Sequence, residues 1–332
     1  MPLLRINATS DGLQMHGTST TTDSALGDQQ GGAGPIIIMI HGYKYDPNDP
    51  THCPHKKIFN CDTTSWPERL GFSNTPSQVG LGIAFGWYAR GALWQAHRRA
   101  AKLGRELASL VTRLRKNAPH RPVHVIAHSL GSEIALSALG HLRPHDLGRI
   151  VLLTGASFAS KAQDMLRAPA GTTTEVFNVT SRENDLFDLA FEHMVAAPEL
   201  RDRAIGQGID APNAINLQLD CDATLRALAQ LGLPIAPPAR RVCHWSTYTR
   251  PGVMALYARL LRDPESLPQA YLADILPGHA APRWSRFKVP LPRPTYSLGP
   301  AITLPVTPLA LKLKNRIMTA TSAQRKDNEH AY

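Results

Sequence analysis

The chain has 332 residues, 43% of them hydrophobic, and a formal net charge of +10. This length allows one large domain or two small ones, and no apolar run reaches the 18 residues that a membrane-spanning helix needs. Four cysteines are too few for a disulfide framework, although Cys53 and Cys61 are close enough in sequence to pair. The N-terminus turns polar before an apolar signal segment develops, so the sequence predicts a cytoplasmic protein without a transmembrane segment.

The rest of the chain is predicted to alternate strands with helices. A short first strand and a polar loop rich in Thr, Gly and Gln occupy residues 1–34. Apolar residues at steps of three and four predict helices over 93–114, after Ser129, and over 252–261. Continuous apolar runs predict buried strands of a parallel sheet, and these runs are 36–40, 81–85, 123–127 and 150–153, with weaker ones at 175–179 and 215–219. The sequence thus predicts an α/β domain over residues 35–280, with a mostly parallel central sheet and helices on both faces.

The positive charge is concentrated at the C-terminus. Residues 281–332 hold nine Lys or Arg against Asp327 and Glu329, so the first 280 residues are only mildly basic. No nucleic-acid-binding motif accompanies this basic stretch, so no nucleic acid partner is expected. Seven prolines in the same stretch deny regular elements their backbone donors and their φ freedom. We therefore predict an extended, proline-rich arm or tail over residues 281–332.

The strongest chemical signal is the segment VHVIAHSLGS, which runs from residue 123 to residue 132. An apolar strand leads into a tight turn that opens a helix, and such a turn lifts the Ser129 hydroxyl clear of the backbone at the helix N-terminus. Neighbouring backbone approaches this turn closely, so small residues are needed two positions before and after the serine. Gly131 meets this need, and Ala127 replaces the glycine of the usual G-x-S-x-G pattern by another small residue. Ser129 is thus the candidate nucleophile.

With the HGY tripeptide at 41–43, the AHSLG elbow and the HW pair at 244–245, the chain resembles the α/β-hydrolase superfamily of lipases and esterases, and within it uncharacterised bacterial hydrolases. The resemblance spans roughly residues 35–261 and implies the α/β-hydrolase fold. It also implies an oxyanion hole formed by the backbone N–H groups of Leu130 and Tyr43, because in this superfamily one donor follows the nucleophile and the other follows an early strand.

A serine hydroxyl needs an imidazole to remove its proton, and the imidazole needs an acid that fixes its tautomer. The order expected in this superfamily is serine, acid, histidine. His244 precedes a predicted helix, which matches the late histidine loop of the superfamily. The acid is expected in the polar loop after the strand at 175–179, where Asp185 is favoured over Asp188 and Glu183. Loop geometry decides among the three, and each could instead cap the following helix, so the two rivals stay open.

These residues predict a serine hydrolase that cleaves a carboxylic ester of a small-molecule substrate, without an organic cofactor or a metal. The cluster of His52, Cys53, His55 and Cys61 lacks the paired spacing of dependable zinc sites and is interpreted as part of a loop over the active-site mouth. Two alternatives stay open. Acyl transfer to an acceptor other than water would use the same triad, and a non-catalytic binding protein would keep the sheet without it. The sequence does not indicate an oligomeric state.

Overall fold

The fold is built around one eight-stranded sheet, seen in a computed structural model that describes residues 3–28, 32–60, 65–72, 80–278 and 280–287. The strands found among these residues are β1 (Leu3–Thr9), β2 (Gly12–Met15), β3 (Ile36–Ile40), β4 (Leu81–Trp87), β5 (Val123–His128), β6 (Arg149–Leu153), β7 (Glu175–Thr180) and β8 (Ala214–Gln218). Their order is β2-β1-β4-β3-β5-β6-β7-β8. The β1–β2 pair is antiparallel and the six other pairs are parallel.

Helices connect the parallel strands, as crossover connections require. Those of the described ranges are α1 (Thr22–Gly27), α2 (Pro54–Lys57), α3 (Trp66–Arg69), α4 (Leu93–Asn117), α5 (Gly131–Leu139), α6 (Ala159–Arg167), α7 (Asp185–Met194), α8 (Asp222–Gln230), α9 (Ser246–Thr249), α10 (Val253–Arg262) and α11 (Gln269–Ile275). Within the same ranges, none of these helices has the length and apolarity to cross a bilayer.

The two faces of β3 show why the apolar runs predict the sheet. All five of its residues are buried. Ile36, Ile38 and Ile40 belong to one core, which includes residues of α4 and α5, whereas Ile37 and Met39 belong to the other, which includes residues of α10. Alternate side chains of a strand point to opposite faces, so a strand with a core on each side must be apolar throughout. The predicted α/β architecture, with a mostly parallel sheet and helices on both faces, is therefore confirmed.

Helix α5 begins two residues after the candidate nucleophile, and all nine of its residues are buried. It packs against α4 at Gly104, where an added Cβ would lie 2.6 Å from the Ser137 Cβ. A side chain at this position would separate the two helices. The helix starts close to the end of β5, at the edge of the sheet where the carboxyl ends of the parallel strands meet.

Two regions differ from the simple predicted organisation. The polar stretch 16–34 contains helix α1, which begins where the Thr21 side chain accepts a hydrogen bond from the Ser24 N–H and which buries Ala25 and Leu26. Residues 281–287, predicted as the start of the arm, belong to the compact unit Met1–Lys288. They hydrogen-bond to groups on β8 and α7. Residues 288–332 lie outside the described residues.

Candidate active site

Ser129 occupies a sharp turn between β5 and α5. Its φ of 53° lies in the left-handed region, which a non-glycine residue adopts at a cost of about 1–3 kcal/mol. Hydrogen bonds hold it there: the Ser129 N–H donates to the Leu153 carbonyl, and the Ser129 carbonyl accepts from the N–H groups of Ser132 and Ala156, each at 3.0 Å. An added Cβ at Gly131 would lie 2.7 Å from the His41 carbonyl oxygen. The structure therefore shows why the sequence needs a small residue two positions after Ser129.

His41 holds the chain after β3, where the second oxyanion donor is predicted. Its buried ring accepts from the Trp87 N–H at Nε2, at 3.0 Å, so Nδ1 carries the proton and donates to the Gly42 carbonyl at 2.8 Å. Burial lowers the pKa of His41 to about 3, so the ring is neutral. Because a trans peptide points its C=O and N–H in opposite directions, the Tyr43 N–H is directed away from His41. The hydrogen bond from His41 to the Gly42 carbonyl therefore orients the Gly42–Tyr43 peptide.

Gly42 contacts the elbow directly, and its substitution tests how closely the oxyanion loop and the nucleophile must approach. An added Cβ would lie 2.7 Å from the Ser129 Cβ and 2.9 Å from the His128 Nδ1. We expect Gly42→Ala to lower the free energy of unfolding by about 1–3 kcal/mol and kcat by roughly tenfold or more. Chemical denaturation and ester hydrolysis measure the two effects. The control is Gly27→Ala in α1, where the added Cβ meets nothing within 4 Å; equal kinetics for the two variants would contradict the expectation.

His244 is held by the ends of two central strands. Its carbonyl accepts hydrogen bonds from the Nε2 of His128, the last residue of β5, and from the Oγ1 of Thr154, directly after β6, each at 3.2 Å. Its ring centroid lies 4.6 Å from that of His128 and 4.7 Å from that of Phe187, with the Phe187 ring stacked on it. The loop after α8 is thereby fixed over the nucleophile elbow. Burial lowers the pKa of His128 to about 4, so the ring is neutral and donates its Nε2–H to the His244 carbonyl.

The Nδ1 of His244 contacts an amide rather than a carboxylate. Asn184 Oδ1 lies 2.6 Å from this nitrogen, and Asn184 Nδ2 donates to Asp188 Oδ1 at 2.8 Å. The bond to Asp188 orients the amide, so that its oxygen accepts the Nδ1–H of His244. Burial raises the pKa of Asp188 to about 7. Gly206 makes room for this carboxylate, since an added Cβ would lie 2.0 Å from Asp188 Oδ2.

Asp185, the acid favoured by the sequence, has other partners, which corrects the predicted pairing with His244. Its Oδ1 lies 3.2 Å from the Arg182 Nη1, and its Oδ2 accepts from the Trp284 N–H at 2.7 Å. The side chain is fully buried at the start of α7, one residue beyond the position that reaches His244. Glu183, the third candidate, forms a buried ion pair with Arg250. Of the three carboxylates, Asp188 is the one connected to His244, through Asn184.

Ser129 and His244 line one cavity of about 290 Å³, together with Asn184 and Asp188. Tyr43 also lines it, and the Leu130 N–H stands at the N-terminus of α5, where the first amides of a helix lack intrahelical acceptors. The remaining wall is largely apolar and includes Leu93, Ala156, Phe187, Ala190, Phe191, Met194 and Trp245. The cavity thus places a strained serine, a neutral imidazole and candidate oxyanion donors beside an apolar surface.

The histidine and cysteine cluster around α2 forms contacts of its own. His55 Nε2 lies 2.7 Å from Asn7 Oδ1, and Cys53 Sγ lies 3.8 Å from His16 Nε2. Within the described parts of the chain, no group of three or more His, Cys, Asp or Glu is placed to hold a metal ion. Cys61 lies outside those parts, and the sequence leaves its pairing with Cys53 open.

Comparison with known proteins finds a family whose model matches part of the chain. Residues 23–184 match the model of a family described as alpha/beta hydrolase of unknown function (DUF900). No curated protein matches the sequence. Among solved structures, phospholipase PlaB from Legionella pneumophila is similar over 51% of this chain and 44% of its own length, at 12% identity and a TM-score of 0.24. The matched region thus spans less than half of that chain, and a likeness this distant carries no argument about activity.

Proposed function

We propose that this chain, a member of the α/β-hydrolase superfamily, is a serine hydrolase that cleaves a carboxylic ester through an acyl-enzyme on Ser129. The main support is that Ser129 and His244 line the same cavity, while the contact of His244 Nδ1 with Asn184 leaves Nε2 to act as the base. Burial, and the neighbouring His128, lower the pKa of His244 well below its ordinary value. The imidazole is therefore neutral at neutral pH and able to accept a proton.

In the proposed reaction, Ser129 Oγ attacks the ester carbonyl carbon as its proton passes to His244 Nε2. The carbonyl oxygen becomes an oxyanion, for which the N–H groups of Leu130 and Tyr43 are the proposed donors. Collapse of this intermediate breaks the bond to the alkoxy oxygen, which takes the proton from His244 and leaves as the alcohol. A water molecule then gives its proton to His244 and attacks the acyl carbonyl, and collapse of the second intermediate returns the proton to Ser129 and releases the acid.

The group that orients His244 is proposed to be Asn184, with Asp188 behind it. An amide oxygen fixes the Nδ1–H tautomer as a carboxylate would, and cysteine hydrolases use histidine with asparagine in this way. The amide carries no charge, however. The ionised Asp188, which accepts a hydrogen bond from Asn184, supplies the negative charge that stabilises the imidazolium formed during attack.

The apolar wall of the cavity favours esters of apolar acyl groups. Helix α7 contributes Phe187, Ala190, Phe191 and Met194 to it. Each methylene buried on such a wall contributes about 0.8 kcal/mol. We therefore expect kcat/KM to rise with acyl length from acetate until the cavity is filled.

Replacing Ala190 by tryptophan tests this assignment of the acyl wall. Ala190 lies on α7 and lines the cavity, so a large side chain there should lower kcat/KM for an octanoate ester by roughly tenfold or more while changing acetate hydrolysis much less. The control is Ala197→Trp, at an exposed position of the segment after α7. Rates are measured with a series of p-nitrophenyl esters, with product analysis in the presence of added alcohol. An equal effect of Ala190→Trp on both esters would contradict the acyl wall, and a dominant transfer product would indicate an acyltransferase.

A further inference from the structure

The residues that follow α11 return to the site as a short segment, here named the strap (residues 281–287). The Ala281 N–H donates to Gln218 Oε1, at the end of β8, at 2.7 Å. The Trp284 N–H donates to Asp185 Oδ2, at the start of α7, also at 2.7 Å. The strap therefore contacts the end of β8 and the residue that directly follows Asn184.

Arg283 is the principal side-chain contact of the strap with α7. Its Nη1 lies 2.8 Å from Glu192 Oε2, and its Nη2 donates to the Asp185 carbonyl at 3.4 Å. The Arg283 side chain is 14% exposed and that of Glu192 is 6% exposed, so the ion pair is shielded from solvent. An ion pair held in this way is much less screened by salt than one at the surface.

Arg286 joins the strap to the loop of the candidate base. Its Nη2 donates to the Arg240 carbonyl at 3.0 Å, four residues before His244, and its Nη1 lies 3.8 Å from Asp220 Oδ2. The strap thus bridges the two segments whose relative position sets the hydrogen bond between Asn184 and His244. A second bridge lies between the same segments, where the Cys243 N–H donates to the Glu183 carbonyl at 2.9 Å.

We propose that the strap is a positioning element of the active site, and that Arg283 is the residue through which it holds α7 with Asn184 and Asp188 directed toward His244. The inference rests on the proposed function and adds to it a part of the chain that supplies no cavity-lining residue. Arg283 acts through Glu192 and the Asp185 carbonyl, and not by contact with the substrate.

The charges around Asp188 give this positioning role a signature in the pH profile. After burial, which raises the pKa of Asp188, Arg283 has the largest effect and lowers it. Asp185 raises that pKa, Arg182 lowers it and Glu192 raises it. His244, on the loop after α8, lines the same cavity as Asp188, and its ring is neutral. Loss of Arg283 should therefore raise the pKa of Asp188, and activity that needs the ionised carboxylate should be lost at a higher pH.

The test compares Arg283→Gln with Arg283→Lys, which keeps the charge, and with Arg167→Gln, which removes an exposed arginine of α6 that pairs with Asp164. Initial rates of ester hydrolysis and of fluorophosphonate labelling are measured from pH 5 to 9, with thermal unfolding as the check on folding. For Arg283→Gln we expect kcat to fall with KM nearly unchanged. The acid limb of the pH profile, where activity is lost as the pH falls, should move up by on the order of one pH unit. Lysine should restore most of the profile, and Arg167→Gln should match the unmodified protein.

Glu192→Gln provides a test of opposite sign. It removes a charge that raises the pKa of Asp188, so the acid limb should move to lower pH, which a general loosening of the fold would not produce. Acid limbs that coincide for the Gln variants at 283, 192 and 167 would overturn the proposal, as would an unfolded Arg283→Gln together with an unmoved limb for Glu192→Gln. Failure of the proposed function would look different, because labelling and hydrolysis would then persist in Ser129→Ala at every pH.

Discussion

Alanine in place of Ser129 is expected to lower the rate of ester hydrolysis by three or more orders of magnitude. The substitution removes the one oxygen that forms the acyl-enzyme, and loss of the nucleophile in a triad leaves the weak turnover that oxyanion donors and binding supply, roughly 10³- to 10⁴-fold over water. The backbone contacts that hold the turn to Leu153, Ser132 and Ala156 do not involve this oxygen. The fold should therefore persist, and p-nitrophenyl ester hydrolysis by protein with an unchanged unfolding midpoint is the measurement.

The matched control for this variant is Ser137→Ala, on helix α5, which follows the turn that holds Ser129. Ser137 Oγ donates to Glu133 Oε1, so its loss removes a buried hydrogen bond without touching the cavity. We expect a lower unfolding midpoint and a kcat within about threefold of the unmodified protein, since the hydrogen bond is worth roughly 1 kcal/mol to stability. Near-normal hydrolysis by Ser129→Ala would remove Ser129 from the mechanism.

Asn184→Ala is expected to have the second-largest effect, a loss of roughly 10²- to 10⁴-fold in kcat. It deprives the His244 Nδ1–H of its acceptor at 2.6 Å, so the ring loses the contact that fixes its tautomer and orientation. Asn184→Asp keeps an acceptor at that place and should recover much of the activity. The new carboxylate would share a proton with Asp188, since two adjacent carboxylates do not both ionise readily. Steady-state kinetics of the two variants measure the difference.

Substitutions of Asp188 and Asp185 should have different effects on kcat in the same assay. Asp188→Asn is expected to lower kcat and to remove the acid limb near pH 7 that titration of Asp188 gives. Asp185→Asn breaks a buried contact with Arg182, so it should lower the free energy of unfolding by about 3 kcal/mol while changing kcat less. If Asp185→Asn is instead the inactive, stably folded variant, the acid favoured by the sequence is restored and the role of Asn184 is refuted.

The fold could be predicted from the sequence because its signals are local. The strand at 36–40 has a core on each face, and so its five residues are apolar without interruption. The weakest predicted strand, 215–219, is found as Ala214–Gln218 at the sheet edge, where burial is incomplete and the pattern correspondingly faint. Helix α1 is not predicted from its polar stretch, because its two buried apolar residues, Ala25 and Leu26, give too little periodicity.

The site could be predicted only in part, because some of its features are local in sequence and others depend on tertiary structure. The elbow at Ser129 combines a strand, a small residue and a helix within ten positions, and all three features are local. The partner of His244 depends instead on how the turn after β7 is oriented, and a shift of one residue exchanges Asp185 for Asn184. His128 and Thr154, which hold the His244 carbonyl, directly follow or end their strands. That position at the carboxyl ends of adjacent parallel strands is the signal that could have identified them.

The contacts of the strap could not be predicted from the sequence. Of the arm predicted over 281–332 the structure describes residues 281–287, and Arg283 and Trp284 are recognised as contacts of α7 only when Asp185 and Glu192 are seen beside them. A buried partner for an arginine is set by tertiary structure, which the local composition does not contain. The cytoplasmic location and the absence of a nucleic acid partner stay predictions of the sequence.

The proposed activation of Ser129 by His244 is tested by fluorophosphonate labelling with mass-spectrometric mapping of the adduct. We expect one adduct per chain, on the peptide that contains Ser129, at a rate that falls by several orders of magnitude in His244→Ala. We also expect Ser129→Ala to show no label at any other serine. A folded chain that is not labelled, or an adduct that maps to another residue, would refute Ser129 as the activated nucleophile.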